Sequence, residues 1–214
     1  MKGRIAVAIV VAVALAGASQ AQERRRQRLN ERAYQDRDIV YFLQQPETHA
    51  FDLYHDYTES TEGTDKYVNV VRPGSTSSKP SAYILDTGQQ LKVETLKGEA
   101  ITAKKIDIGE PVKPDTEIVV IWFDPVKKGE SVRLRISETY TDAARYRVEK
   151  DELVWDRSFG RPRNAVVLPA GWYLTNSSIP ATVSETADGR IRLDFWNARP
   201  DEIAVLLTAK RRTP

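Results

Sequence analysis

Most hydrolytic and metal-assisted chemistry starts from a cysteine, a histidine or an activated serine, and this chain offers few of them. It has no cysteine and two histidines, His49 and His55, which excludes a thiol nucleophile, a disulfide framework and Cys-ligated zinc. Six strand residues apart, the two imidazoles would share a face but sit about 20 Å from each other, too far to hold one metal ion. Each reads as an ordinary half-exposed strand residue. The sequence contains no G-x-S-x-G elbow, Gly-rich phosphate loop, H-E-x-x-H or EF-hand spacing. Hydrolysis by a carboxylate pair stays open, because 30 acidic residues make some pair inevitable and separation along the chain does not report separation in space. No metal or cofactor is called for.

Binding chemistry is better represented. Trp196 follows Arg190, Arg192 and Asp194 on the polar face of an alternating run whose other face carries Ile191, Leu193 and Phe195. An indole among charged neighbours on a sheet surface is a platform for a sugar ring or a partner's side chain, and Trp172 is a second candidate for such a surface. Arg157, Arg161 and Arg163 lie within seven residues and read as a loop cluster able to receive a carboxylate or phosphate, or as a solvated loop. Glu138 is an oddity, since it shares the apolar face of Val132, Leu134, Ile136 and Tyr140. A carboxylate turned toward a core must be paired or hold its proton, and the expectation is a strand-end position, solvated or paired with Arg145. Asn176-Ser-Ser is an N-glycosylation acceptor pattern, meaningful only in a host with that machinery.

The elements that must position these residues are strands. From Ile39 onward, short apolar or alternating runs are separated by turn residues, with no sustained helical period. Strands are expected over residues 39–43, 49–57, 67–72, 82–86, 90–96, 102–108, 117–123, 131–140, 146–149, 152–156, 165–168, 172–175, 182–186, 190–196 and 203–209. The run 117–123 is apolar on both faces, as in a central strand covered on both sides. Asp188-Gly189 predicts a two-residue hairpin. The expected fold is all-β, one or two immunoglobulin-like β-sandwiches. The polar, proline-containing stretch 109–115 divides an N-terminal β region (39–108) from a C-terminal sandwich (116–211), and the smaller first region is expected to dock on a shared core.

Residues 1–21 combine Lys2 and Arg4, an apolar run and a small-residue ending in Ala21, the pattern of a signal peptide cut after Ala21. The apolar run is shorter than the roughly 20 residues a membrane span needs. Arg24, Arg25, Arg26 and Arg28 beyond the cut oppose translocation, so an uncleaved anchor is the competing outcome. Residues 22–38 read as a charged arm or short helix. The 32 basic and 30 acidic residues of the whole chain become 30 and 30 once Lys2 and Arg4 are removed, which removes the long-range attraction that would favour nucleic acid.

Three stretches, Glu130–Tyr140, Asn164–Trp172 with its Leu-Pro-Ala-Gly-Trp turn, and the hairpin Asp188–Phe195, resemble secreted bacterial β-sandwich domains of unassigned function. More loosely, they resemble the non-catalytic sandwich that precedes the catalytic domain of gluzincin aminopeptidases and occurs in ribophorin-like proteins. The resemblance implies fold and compartment only; the peptidase zinc motif is absent from the sequence, so that activity is not carried over. Together these readings imply a periplasmic or secreted, non-catalytic binding or assembly module without stable membrane insertion. Its partner would be another envelope or extracellular protein, and the alternative is a carbohydrate-binding or carbohydrate-active protein using surface tryptophans and carboxylates. Intact mass of the protein recovered from its natural host is expected to correspond to a chain starting at Gln22; a retained Met1 would establish the anchor instead.

Overall fold

The computed structural model describes residues 36–212. The expected signal peptide and residues 22–35 of the charged arm lie outside the described residues. The first strand, β1 (Arg37–Leu43), takes in the last two residues of the expected arm and leads through a 3-10 turn, Pro46–Thr48, into β2 (Ala50–Glu59). There follow β3 (Lys66–Val70), β4 (Thr76–Ile84), β5 (Lys92–Lys97), a one-turn helix α1 (Glu99–Ala103), β6 (Glu117–Trp122), β7 (Val132–Thr141), β8 (Tyr146–Glu149), β9 (Glu152–Phe159), β10 (Arg163–Val167), β11 (Trp172–Ser177), β12 (Thr182–Glu185), β13 (Ile191–Trp196) and β14 (Ile203–Arg211). The architecture is all-β. Among the described residues no helix is long and apolar enough to cross a membrane.

The strands form three sheets: a seven-stranded one in the order β12-β13-β10-β1-β2-β7-β4, a four-stranded one, β11-β14-β9-β8, and a three-stranded one, β3-β6-β5. The largest sheet draws on both sides of residues 109–115. Its β1 lies parallel to β10, with Asp38 opposite Arg163 and Val40 opposite Ala165; its other neighbour, β2, is antiparallel and joins β7.

Period-two alternation decides which side chains reach the core. Leu134, Ile136 and Tyr140 of β7 are buried, while Arg133 is exposed and Arg135 half-buried. This inner face of the seven-stranded sheet is covered by the two smaller sheets, which share one apolar core with it. Toward the four-stranded sheet, Tyr41 meets Trp155 edge-on at 5.4 Å and stacks on Phe159 at 5.7 Å. Toward the three-stranded sheet, Tyr57 meets Tyr67 at 5.4 Å. Ile118, Val119, Val120 and Ile121 of β6 are all fully buried, as its two-sided apolar pattern requires. Val119 and Ile121 face the main core, while Ile118 and Val120 face a second cluster with Ile101 and Ile106.

That second cluster corrects one expected strand. Residues 102–108 do not pair; α1 and the irregular segment after it lay Ile101 and Ile106 over β6, whose two edges are already occupied by β3 and β5. The turn into α1 depends on Gly98, which has φ +51° and whose missing Cβ would lie 2.8 Å from the Pro114 carbonyl oxygen. A second correction concerns the β12–β13 hairpin. The Thr186 N–H bonds to the Arg190 carbonyl and the Gly189 N–H to the Thr186 carbonyl, both at 2.9 Å, so the loop has three residues with Gly189 at φ +80° rather than two.

Trp155, fully buried between Tyr41, Phe51 and Phe159, closes the main core. Trp155→Ala is expected to lower unfolding free energy by about 3–5 kcal/mol, measured by urea denaturation at neutral pH.

Candidate functional site

The outer face of the seven-stranded sheet carries three cross-strand rows. The first runs Asp56, Asp38, Arg163, Trp196; the second Tyr54, Val40, Ala165, Asp194, Thr182; the third Asp52, Phe42, Val167, Arg192, Ser184. In the middle row the small side chains of Val40 and Ala165 form a floor between taller neighbours, leaving an open trough of about 380 Å³. Tyr54 stands at one end and Asp194 at the other, three strand spacings or roughly 14 Å apart. Both floor residues are buried, backed by Val167, Phe42 and Tyr54.

Every charge along the trough has an opposite partner. Arg192 grips both oxygens of Asp194, from Nη2 at 2.7 Å and from Nε at 2.9 and 3.1 Å. Arg163 bonds Asp38 through Nε and reaches Asp36 through Nη2 at 2.6 Å. Arg135 makes a two-pronged contact with Asp56 at 2.6 Å on each arm and lies 4.2 Å over the Tyr54 ring. These bonds raise the pKa of Arg192 and Arg163 above the ordinary guanidinium value and lower that of Asp36. Trp196 is 65% exposed, so no described element covers it. The trough thus offers a flat aromatic surface beside fixed donors and acceptors whose charges nearly cancel.

The structure therefore brings Trp196, Arg192, Asp194 and Arg163 to one site and removes three other candidates from it. Trp172 is 2% exposed; its Nε1 donates to Gln45 Oε1 at 3.0 Å and Arg211 covers its ring at 4.6 Å, because β11 belongs to a different sheet. Arg157, Arg161 and Arg163 are not one loop cluster. Arg157 belongs to β9 and is buried, 4.8 Å over Phe51 with Nη1 3.4 Å from Asp142, and burial lowers the pKa of its guanidinium. Arg161 lies in the bend between β9 and β10, where its carbonyl accepts from Asn164 Nδ2. Tyr54, Asp38 and Asp56 escaped sequence reasoning. The alternation Asp52, Tyr54, Asp56 marks a polar face, but nothing local places it beside residue 163.

The histidines differ from their expected setting. His49 is the left-handed cap of the 3-10 turn, with Nδ1 2.8 Å from the Tyr146 carbonyl oxygen. His55 is buried on the inner face, and burial, with Arg37 and Arg161 nearby, drives its pKa far below the ordinary value. Among the described residues no group of three His, Cys, Asp or Glu side chains is placed to hold a metal ion.

Glu138 also departs from expectation. It is 3% exposed in mid-strand, and Arg145 bonds Asp142 instead. Asn69 Nδ2 of β3 donates to one Glu138 oxygen at 2.9 Å and Ser77 Oγ of β4 to the other at 2.6 Å. The carboxyl thus ties the three-stranded sheet to the seven-stranded one. Burial raises its pKa, with the two hydrogen bonds opposing. It lines neither the trough nor the groove between residues 70–76 and 110–117, so its altered acidity is a matter of stability.

Comparison with protein-family models finds no match, and neither does comparison with curated protein sequences. Solved structures do resemble the backbone. A zinc metallopeptidase of the M1 type from Deinococcus radiodurans superposes with a TM-score of 0.44 at 15% identity, covering 81% of this chain and 41% of that one. An aminopeptidase N family protein from Idiomarina loihiensis gives 0.45 at 9% identity over 80% of this chain and 29% of that one. A candidate nutrient binding protein from Legionella pneumophila gives 0.42 at 8% identity over 81% and 65%. The chain spans about two fifths of the length of the Deinococcus peptidase. At these scores the likeness is one of backbone arrangement alone.

The acidity of Glu138 leads to a pH-dependent prediction. With its folded pKa raised, the stability due to its protonated form is fully present below the unfolded value, about 4.3, and is lost as pH rises through the folded value. Glu138→Gln cannot ionise. Its melting temperature relative to the unaltered protein is therefore expected to move in its favour as pH rises from about 4 to about 7; a pH-independent difference would show that the carboxyl titrates alike folded and unfolded.

Proposed function

We propose that this protein is an exported, non-catalytic binding module of immunoglobulin-like sandwich type, acting in the periplasm or outside the cell, and that its ligand is a neutral saccharide held in the outer-face trough. The observation that carries this reading is the exposed indole of Trp196 beside a floor of Val40 and Ala165. A pyranose ring presents an apolar face to an aromatic and adjacent hydroxyls to its surroundings. Paired Arg and Asp groups offer such hydroxyls donors and acceptors together, already oriented by one another. The near cancellation of charge favours a neutral ligand over phosphate, uronate or nucleic acid. A general acid needs an apolar or like-charged setting; each trough carboxylate instead faces a guanidinium, which supports binding over hydrolysis.

A second reading takes the same face as the docking surface of another envelope or extracellular protein, since an exposed Trp flanked by Arg also has the composition of an interface hot spot. One set of measurements separates the two. Neutral oligosaccharides of the gluco, manno and chito series are expected to change the tryptophan fluorescence, and Trp196→Ala is expected to weaken that binding about tenfold without altering the melting temperature. Absence of any response across the panel, or an undiminished response in Trp196→Ala, would remove the saccharide reading. A protein crosslinked in cells and lost from Trp196→Ala would then establish the second.

A further inference from the structure

The two edges of the seven-stranded sheet are treated differently. At one end, β4 carries Lys79 with φ +51°, then Pro80, and its pairing with β7 shifts register between Ser78 and Ser81. Lysine, proline and a bulge are the devices that stop an edge from accepting another strand. The smaller sheets are guarded as well: β11 has a register shift between Leu174 and Asn176, β8 lies under the 3-10 turn where His49 takes its Tyr146 carbonyl, and β3 and β5 start on Lys66 and Lys92.

At the other end, β12, four residues long with one charge at Glu185, carries no lysine, proline or bulge. Thr182, Val183, Ser184 and Glu185 are all exposed, and among the described residues β13 is its one partner. The bond from the Thr186 N–H to the Arg190 carbonyl sets the ladder's phase. Antiparallel alternation then turns the backbone groups of Ser184 and Thr182 toward β13 and those of Val183 and Glu185 outward. Side chains follow the pleat. Thr182 and Ser184 lie on the trough face opposite Asp194 and Arg192, and Val183 lies on the core face opposite Leu193. Leu193 is fully buried, but Val183 is 54% exposed, so the apolar face runs past the sheets that cover it.

We propose that β12 is a homodimerisation edge, at which two copies of this chain pair their β12 strands antiparallel about a two-fold axis at Val183. The edge is self-complementary in that register. Each outward Val183 N–H donates to the Val183 carbonyl of the second copy, the two valine side chains cover each other on the core face, and Thr182 stands across from Ser184 of the second copy on the trough face. Glu185 falls opposite Ala181 of the second copy, so the carboxylates do not confront each other. The near balance of 32 basic and 30 acidic residues leaves little net repulsion between copies. The two sheets become continuous with both troughs on one face, so a polymeric ligand would be held at two points. The pairing itself does not depend on what the trough binds.

A four-residue edge buries less than the roughly 800 Å² per partner of a standard interface, so the dimer should be concentration-dependent. Sedimentation velocity on the full chain is expected to show the average mass rising toward two copies with concentration. Val183→Lys and Val183→Asp, each at an exposed position, should remain single at every concentration with unchanged melting temperatures, and mixing the two proteins should restore association. A chain that stays single throughout, variants that associate like the unaltered protein, or a mixture that remains single would each overturn the proposal.

Discussion

The parallel pairing of β1 with β10 is the contact on which the rest of the molecule depends. It joins strands 125 positions apart, as the Arg163–Asp38 bond shows, and it places the two central strands between which everything else is arranged. On the inner side it lines up Ile39 and Tyr41 with Val166 to receive Trp155 and Phe159. On the outer side it sets Val40 beside Ala165 to make the trough floor. Parallel ladders are buried on both faces in most folds; here the outer face is closed by its own aromatic and paired side chains, with Phe42 and Tyr54 over the floor strands.

The interior is more polar than its strand pattern suggests, and its polar groups hold sheets together. Asp142, with no exposed side-chain surface, accepts from Ser75 and contacts both Arg145 and Arg157. Glu138 takes one bond from each of two other strands. Arg37 lies over the rings of Tyr57 and Tyr67 at 4.4 and 4.8 Å and bonds the Tyr67 hydroxyl. Such groups are costly when buried and stable only when satisfied. They act as positional pegs, since sliding one sheet past another would leave several of them without partners.

The trough and the β12 edge divide recognition between two kinds of physics. In the middle of the sheet every backbone group is engaged in a ladder, so a ligand there can be read only through side chains, which favours aromatic stacking and fixed polar pairs. At the edge the backbone itself is available, and another strand is the natural occupant. Trp196 and Val183 are exposed for these different reasons: among the described residues the outer face has no second layer, and the inner layer stops short of the last strand.

The amino-acid sequence by itself determined the all-β class, the position of most strands and the face each side chain takes, because period-two alternation is a local property that pleating obeys wherever a strand forms. It also determined that Trp196, Arg192 and Asp194 share a surface, since they are two residues apart on one strand. It misplaced what depends on neighbours in space. The apolar residues of 102–108 read as a strand, yet both edges of β6 were taken. Trp172 and Arg157 read as surface, yet Gln45 and Arg211 close over the first and the seven-stranded sheet, through Phe51, meets the second. Glu138 read as a solvated strand end, yet the three-stranded sheet reaches it through Asn69. Only the tertiary structure decided that residue 38 meets residue 163, and hence that a floor, two aromatics and three ion pairs form one trough, because pairing between distant strands is chosen by the packing of whole sheets and leaves no periodic trace in either strand.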